Sequence, residues 1–441
     1  MIKKLIIVLF ALLACNIQAQ EGTTSPYSFY GIGSLNFKGT VENKSMGGIS
    51  VYTDSIHVNL RNPASFTGNN LKISGFDNES RPVKFAVGGQ LSSGTLKTNS
   101  QEAEVGTTTF DYLVLSIPLG KFGVGFGLLP YTSVGYKLES SILLNDEEKL
   151  KNRYRGEGGV NKTFLSLGYQ FTEELSGGID ASYNFGNIIN NAVEYSYDNE
   201  GNLLTYQTRE TNRSDLSGLN FNLGISYKPM LSDKLQLSTA FTYAPKSELA
   251  SANERVFSTI VINSLTGEEF AINELEADLE SQGLKETDLT LPSKTTFGLG
   301  IGQPYKWFVG ADYTLLKTSQ YSNPIFTNNS NANFEDSSTF ALGGFFIPEY
   351  SSFNKYLKRV VYRAGVHYGN TGLKINDESI NEFGISFGVG LPVGRVFSNV
   401  NLGLELGQRG TTKANLVKEN FLNFQLSLSL NDRWFVKRKY N

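Results

Sequence analysis

The sequence has little cysteine and little histidine. Cys15 is the only cysteine among 441 residues, and it lies so near the N-terminus that the rest of the chain has neither a disulfide nor a thiolate metal site. With only His57 and His367, a histidine-rich metal site or a histidine-dependent catalytic centre has few residues to use. We therefore expect a protein that is not an enzyme and that needs no metal or other cofactor.

Long hydrophobic runs are also absent after the first residues. The run 5–14 follows two lysines and is too short to span a bilayer as a helix, so residues 1–19 are interpreted as a signal peptide cleaved after Ala19. In the alternative interpretation, Leu12-Leu13-Ala14-Cys15 is a lipobox, and Cys15 is lipidated and becomes the first residue. Both interpretations predict export.

The bulk composition excludes two further classes of protein. No second apolar run approaches helical-span length, which excludes a helical membrane protein. The net charge of -3 and the scarcity of basic clusters argue against nucleic acid as a partner. With 45 glycines, 30 phenylalanines and 22 tyrosines, the remaining choices are a large soluble β protein and a transmembrane β-barrel.

Period-two alternation is the main structural signal. In residues 219–227 every odd position is large and apolar or aromatic, and every even position is small or polar. Residues 422–430 repeat the pattern in the opposite register. Soluble sheets alternate too, but a tilted membrane strand needs about ten residues, against about five or six in a soluble sheet. The length of these runs favours a membrane barrel.

Short and long links alternate along the chain, as they do in outer-membrane barrels. The predicted short links are Leu119–Phe122, Thr172–Glu174, Pro229–Asp233, Gln303–Tyr305 and Pro392–Val396. The long polar stretches are 141–159, 191–213, 249–289, 319–334, 370–381 and 408–419. We predict an all-β fold, a transmembrane antiparallel β-barrel of about fourteen strands over residues 83–441, located in the outer membrane.

The segment 20–82 does not alternate over a membrane-length span. A barrel of this size leaves a lumen that its own side chains do not fill, so we expect the segment to form an N-terminal hatch inside it. The alternative is a periplasmic tail.

Several motifs together resemble the FadL-type outer-membrane transporters of hydrophobic compounds. They are Ser45-Met46-Gly47-Gly48 and Asn62-Pro63-Ala64 of the hatch signature, Leu291-Pro292-Ser293 with Phe297-Gly298-Leu299-Gly300, Trp307 and Asp312-Tyr313 of a mid-barrel hairpin, and Tyr362-Arg363-Ala364-Gly365 of a late arginine-glycine strand. The ending, Trp434-Phe435 with a basic tail, resembles Bacteroidetes-type barrels, which include accessory barrels of the type IX secretion machinery.

The resemblance implies passive uptake of hydrophobic, fatty-acid-like small molecules, which enter the lumen and leave when the hatch moves or through the wall. Outer-membrane lipid and the hydrophobic ligand would then be the partners. The alternative is an accessory or plugging barrel subunit of a type IX secretion translocon, with a large secretion-channel protein as its partner.

If the apolar face of each strand faces lipid, the opposite face directs ionisable side chains into the lumen. Arg363 is the best candidate for binding a ligand carboxylate, since its guanidinium can hold two oxygens, and His367 on the same face is a pH-sensitive partner. In the alternative, the lumenal ions pair only with one another. A catalytic pair of carboxylates is not expected. The lumenal candidates are Lys162, Asp180, Asp312, Arg363, His367 and Glu405.

Two further patterns carry predictions. Residues 272–284 have apolar side chains at helical spacing, which predicts a helix that lines a hydrophobic groove outside the barrel or caps the barrel. The runs 123–127 and 298–302 have glycine at alternate positions, which predicts inward glycines that relieve crowding or permit a kink in the wall. The resemblance implies that such a kink serves a lateral opening.

Overall fold

The computed structural model is a closed antiparallel barrel of fourteen strands, as predicted. It describes residues 22–432 except 55, 68–81, 145–146, 199, 264–265, 327–330 and 394–397, so the signal peptide, Cys15 and Trp434-Phe435 lie outside the described residues. The strands are β1 (Val83–Lys97), β2 (Glu102–Leu119), β3 (Phe122–Pro130 and Thr132–Leu144), β4 (Glu147–Gln170), β5 (Leu175–Ser196), β6 (Gln207–Tyr227), β7 (Gln236–Ala244 and Ser247–Ile262), β8 (Glu286–Leu291 and Lys294–Gln303), β9 (Trp307–Leu316), β10 (Ser337–Phe346), β11 (Val361–Ile375), β12 (Glu378–Val393), β13 (Ser398–Gly410) and β14 (Lys418–Asp432).

The first and last strands close the ring. β14 pairs with β1 from Val83↔Asp432 to Lys97↔Lys418, so the barrel has no free edge strand at its closure. The remaining elements are the helix α1 (Val41–Lys44), the short strands Ser34–Leu35, Glu269–Glu276 and Ala332–Phe334, and the 3-10 turns Pro26–Phe29, Pro63–Phe66, Thr318–Gln320, Pro324–Phe326, Tyr356–Lys358 and Lys413–Asn415. No described helix is long and apolar enough to cross a membrane.

The two faces of each strand differ as the alternation predicts. Leu219 and Ile225 of β6 point outward and are 56% and 50% exposed, whereas Ser226 between two outward side chains is 2% exposed. On β14, Phe424 faces outward and Gln425 faces the lumen. The outward side chains form an apolar belt around a closed barrel, which locates the protein in the outer membrane.

Three strands are interrupted next to a proline. The breaks fall after Pro130 in β3, at Pro245 in β7 and at Pro292 in β8, because proline has no N–H to donate to a ladder. Both halves of β3 still pair with β4, so the break bends the wall without removing the strand.

Four of the predicted short turns are confirmed, and the fifth, Pro392–Val396, lies mostly outside the described residues. Several predicted long loops are wrong. Residues 141–159 and 370–381 consist mainly of β-strand, and β11 and β12 join through Asn376 and Asp377 in the left-handed region. Above the membrane both faces of a strand meet water or the polar lumen, so hydrophobic alternation disappears although the strand continues. The polar composition of these strand ends therefore wrongly predicts loops.

The predicted helix over 272–284 is also wrong. Residues Glu269–Glu276 form a strand that pairs with Val256–Ile262 of β7 across a bulge. Pairing with an existing strand edge satisfies the backbone and overrides the helical spacing of the apolar side chains.

Residues 22–67 are called the inner segment here, because their contacts come from all around the ring. Contacts with the wall are made by Lys84 (β1), Tyr112 (β2), Ser133 (β3), Gly168 (β4), Asp180 (β5), Ile225 (β6), Gly298 (β8), Asp312 (β9), Gly343 (β10), Gly365 (β11), Ser386 (β12), Asn401 (β13) and Asn431 (β14). Ala240 of β7 belongs to the same buried cluster as Met46 and Ile49. A segment with these neighbours lies inside the barrel.

Candidate lumenal site

The two glycines of Ser45-Met46-Gly47-Gly48 follow α1 and turn the inner segment against the wall. Thr40 and Asn43 form a capping box at the start of α1, and Gly47 and Gly48 have positive φ angles of 68° and 85°. A side chain on Gly47 would meet the backbone of Val366 on β11. On the wall itself, a Cβ on Gly365 would collide with the backbone of Met46 and Gly47, so close packing requires glycine on both sides.

Asn62-Pro63-Ala64 makes the second contact with the wall. The Asn62 side chain caps the turn Pro63–Phe66 by accepting a hydrogen bond from Ala64 N at 3.0 Å, and it donates to Ile225 O on β6 at 3.1 Å. The ring of Phe66 lies directly on Gly125, one of the inward glycines predicted from the sequence. The turn also packs directly on four other glycines of the wall, where any side chain would collide with it. They are Gly123, Gly168, Gly178 and Gly224.

Asp180 binds the inner segment through an ion pair. Lys38 Nζ lies 2.8 Å from Asp180 Oδ2, and Ser182 Oγ donates to Asp180 Oδ1 at 3.2 Å. Lys162 is buried nearby, and its ammonium lies 4.0 Å from the centre of the Tyr131 ring at the break of β3.

Asp312 binds a different part of the inner segment. Its Oδ2 accepts hydrogen bonds from Ser50 N at 2.5 Å and Ser50 Oγ at 2.6 Å. Burial lowers the pKa of Arg61, and the charge of Asp312 opposes that shift. Asp180 and Asp312 therefore each attach a different part of the inner segment to the wall.

Arg363 and His367 lie on the same strand but have separate partners. Arg363 Nη1 donates to Asn401 Oδ1 at 3.2 Å, and Asn401 Nδ2 donates to Glu42 Oε1 at 2.8 Å. Arg363 is therefore linked to α1 through Asn401, and it does not line the main cavity of the described lumen.

His367 belongs to a chain of ionisable groups on the cavity wall. His367 Nε2 lies 3.3 Å from Glu382 and its Nδ1 lies 3.8 Å from Glu405, which is itself 3.9 Å from Lys44 of α1. Arg409 lies 2.5 Å from Glu382 and 3.8 Å from Glu419. The predicted His367 and Glu405 are thus brought together, along with three wall residues absent from the prediction, Glu382, Arg409 and Glu419.

A cavity of about 1150 Å³ lies on the outer side of the inner segment. Lys38, Arg61 and Lys294 line it on the side of β5 to β9, together with the carboxylate of Asp312. Carboxylates dominate the opposite side, from β12 round to β2. They are Asp111, Glu382, Glu405 and Glu419, and the cations Lys44 and Arg409 lie among them. Aromatic and aliphatic side chains lie between, namely Tyr27, Tyr30, Leu35, Phe37, Phe110, Tyr131 and Leu316. The cavity is amphipathic, with a cationic and an anionic side.

The cavity extends to an opening in the wall between β2 and β3. The two strands pair only from Leu113↔Leu128 to Leu119↔Phe122, and above that level residues 102–112 have no strand partner in Thr132–Leu144 among the described residues. Ser34–Leu35 of the inner segment pairs with the edge of β3 at Thr132–Ser133 instead. Cavity-lining residues lie on both edges of this gap.

The gap begins at membrane level. Thr108 of β2 is paired with Leu91 of β1, which belongs to the outward apolar belt and is 53% exposed. An apolar molecule in the cavity could therefore reach the lipid sideways, without crossing a row of closed strand pairs.

Comparison with known proteins gives the family. The family model described as BamG matches residues 1–441. The chain belongs to the BamG family. No curated protein matches the sequence.

Solved structures share the architecture of this BamG-family barrel. The Pseudomonas putida toluene transporter TodX has a TM-score of 0.55 at 15% identity, over 90% of this chain and 99% of that one. The CymD monoaromatic hydrocarbon channel has a TM-score of 0.52 at 14% identity, with coverage of 90% and 99%. A Pseudomonas aeruginosa FadL homologue has a TM-score of 0.52 at 11% identity, with coverage of 91% and 99%. At these identities the likeness establishes the fold.

Proposed function

We propose that this barrel mediates passive uptake of hydrophobic small molecules that carry an acidic headgroup, as fatty acids do. The observation that carries the proposal is the amphipathic cavity that opens at membrane level between β2 and β3. The apolar part of the ligand would pass from the cavity through this gap into the lipid. The similar solved structures support the proposal, since one is a toluene transporter and another is a monoaromatic hydrocarbon channel.

The cationic side of the cavity supports an acidic headgroup. Lys294 lines the cavity, its charged neighbours are the cations Arg61 and Lys38, and no described carboxylate forms an ion pair with it. A carboxylate would be favoured there, because a half-buried ammonium with no ion-pair partner among the described residues gains both charge compensation and hydrogen bonds from it. In this proposal Lys294 replaces Arg363 as the headgroup residue, and Arg363 anchors the hatch.

We further propose that residues 20–82 form the hatch. The inner segment contacts the wall around the ring, so the periplasmic route stays closed while the lateral route is open. Transport in this form needs no cofactor, and lipid and ligand are its partners.

The test is uptake by proteoliposomes or by cells that lack the endogenous protein. Lys294→Met should lower the initial uptake rate of a fatty acid several-fold and leave uptake of toluene unchanged, because toluene has no charge to bind. Lys234→Met, in an exposed short turn, is the matched control. Fatty-acid uptake that does not exceed that of protein-free vesicles would refute the transport proposal, while equal losses for both compounds would refute only the headgroup assignment.

A second candidate is an accessory or plugging subunit of a type IX secretion translocon. The observation that favours it is the filled barrel, because a plugged ring suits a structural subunit as well as a transporter. Gentle solubilisation distinguishes the two candidates. A stable large partner chain favours the subunit, and bound lipid or fatty acid in a solitary barrel favours transport.

A further inference from the structure

The wall of the barrel continues far above the apolar belt on one side. On β6 the belt reaches Leu219, whereas Asp215 and Arg213 point outward as exposed charges. Glu210, nine residues beyond Leu219, pairs with Phe257 of β7. Nine residues rise roughly 30 Å along a strand, or about 20 Å along the membrane normal at the usual tilt. Phe257 therefore lies in water outside the cell.

This external part of the sheet has an exposed apolar surface. Phe257 on β7 is 38% exposed, and it is paired with Leu275 of the strand Glu269–Glu276, which is 67% exposed. We call the whole set the outer edge surface: Tyr206, Phe257, Phe270, Ile272 and Leu275. Apolar side chains gathered in water away from lipid mark an interaction surface.

The same surface ends in a free strand edge. Glu269–Glu276 pairs with β7 on one side, and on the other side it has no strand partner among the described residues. Its unpaired N–H and C=O groups are a template for one more strand. An incoming strand would bring its side chains beside Phe270, Ile272 and Leu275.

The charge around this edge limits what can bind. Residues 268–288 contain eight acidic residues and one basic residue, Lys285, which gives a net charge of -7. Among the eight acidic residues, Glu269 and Glu274 lie beside Arg209, and Glu280 lies beside Lys285. The other five, which include the exposed Glu276 and Glu286, have no ion-pair partner among the described residues. Repulsion disfavours a second copy of this chain and the anionic lipid surface, and attraction favours a basic partner.

We propose that an extended segment of a partner protein, with alternating apolar and basic residues, adds to the edge strand Glu269–Glu276. Its backbone completes the sheet, its apolar side chains cover the outer edge surface, and its Lys or Arg residues meet the surrounding carboxylates. The proposal is independent of the uptake function, since the surface lies outside the cavity.

The test places a photo-crosslinking residue at the edge of the full-length protein in intact cells. Leu275→p-benzoylphenylalanine is the probe. The same crosslinker in place of Phe353, which is 96% exposed in the link 347–360 at the opposite end of the barrel, is the control for capture at an exposed apolar position. We expect one discrete adduct at position 275, whose crosslinked peptide is basic with alternating apolar residues. Adding Glu276→Lys and Glu286→Lys, which reverses two exposed carboxylates, should reduce its yield about tenfold, because a basic partner loses its attraction to this edge.

The charge reversals change exposed side chains, and heat-resistant migration of the barrel in detergent verifies that the variants fold. An adduct with lipid or with a second copy of this chain would overturn the proposal. No adduct, or an adduct whose yield survives the charge reversals, would also overturn it. Uptake of fatty acid should stay unchanged in the same variants, which separates failure here from failure of the transport proposal.

Discussion

Lys38 Nζ of the inner segment lies 2.8 Å from Asp180 Oδ2 on β5, and both groups are largely shielded from solvent, with side chains 19% and 3% exposed. Removing one member leaves the other charge without its partner in a poorly solvated lumen. This pair therefore fastens the inner segment to the wall as well as placing a cation on the cavity.

Lys38→Met is expected to destabilise the folded barrel by roughly 2 to 4 kcal/mol, because the Asp180 carboxylate stays buried and unpaired. Lys38→Met combined with Asp180→Asn should recover part of that loss. Equilibrium unfolding of the four proteins in a double-mutant cycle measures the coupling. Strict additivity of the two losses would contradict the ion pair.

Arg363→Ala is expected to loosen α1 and not to weaken ligand binding. The change removes the donor to Asn401 Oδ1, and Asn401 in turn holds Glu42, so resistance of the inner segment to protease should fall. Arg213→Ala, at an exposed position of β6, is the control for losing an arginine. A lower fatty-acid affinity with unchanged protease resistance would instead indicate that Arg363 binds the ligand.

Gly365→Ala is expected to displace the inner segment, since the added Cβ collides with the backbone of Met46 and Gly47. Overpacking of this kind costs about 1 to 3 kcal/mol. A barrel whose inner segment is displaced should show a larger ion conductance in planar bilayers. Gly106→Ala on β2, where the added Cβ meets only Ser92 O at 3.3 Å, should conduct like the parent protein.

Asp54 gives a prediction for acid stability. Burial alone would raise the pKa of Asp54, but the charge of His57 and hydrogen bonds from its ring and backbone hold it below the ordinary 3.8. Because the pKa of Asp54 is lower in the folded protein than in the unfolded chain, its ionisation stabilises the folded protein above pH 3.8. This contribution to stability decreases as the pH falls from 3.8 toward the folded pKa. The difference between the melting temperatures of the parent and Asp54→Asn should therefore be constant from pH 6 to about pH 5 and should decrease steadily as the pH falls below 3.8. A difference that stays constant below pH 3.8 as well would count against the linkage.

Thr108→Trp is expected to narrow the gap between β2 and β3. Thr108 lines the cavity at the level of the apolar belt, so a bulky side chain there should slow uptake of both fatty acid and toluene several-fold. Thr95→Trp on β1, which does not line the cavity, is the control. Uptake unaffected by Thr108→Trp would point to exit past a moving hatch.

The strand count and the short turns could be predicted because the lipid forces every other residue in the membrane to be apolar. This constraint ends above the apolar belt, and the secondary structure predicted from the sequence there is wrong. Residues 370–381 resemble a loop in composition, yet β11 and β12 run through them to the tight turn at Asn376 and Asp377. The apolar residues around Glu269–Glu276 have helical spacing, yet the segment is a strand because it pairs with β7.

The lumenal site was predictable in part. Inward positions on regular strands identified Asp180, Asp312, His367 and Glu405 as lumenal. Their partners could not be assigned, because Lys38, Ser50 and other residues of the inner segment follow no periodicity that fixes their position against the wall. Lys294 occupies an inward row of β8, and period-two counting from Phe297 would have identified it.

The inner segment bridges the first and last strands of the barrel. His57 O accepts from Lys84 on the first strand, and Ile56 O accepts from Asn431 on the last. Since β1 and β14 are neighbours that close the ring, these two residues lie across the final seam. The inner segment therefore adds two hydrogen bonds across the place where the ring closes. A chain lacking this segment would have to join its first and last strands without the bridge that holds them at the same height.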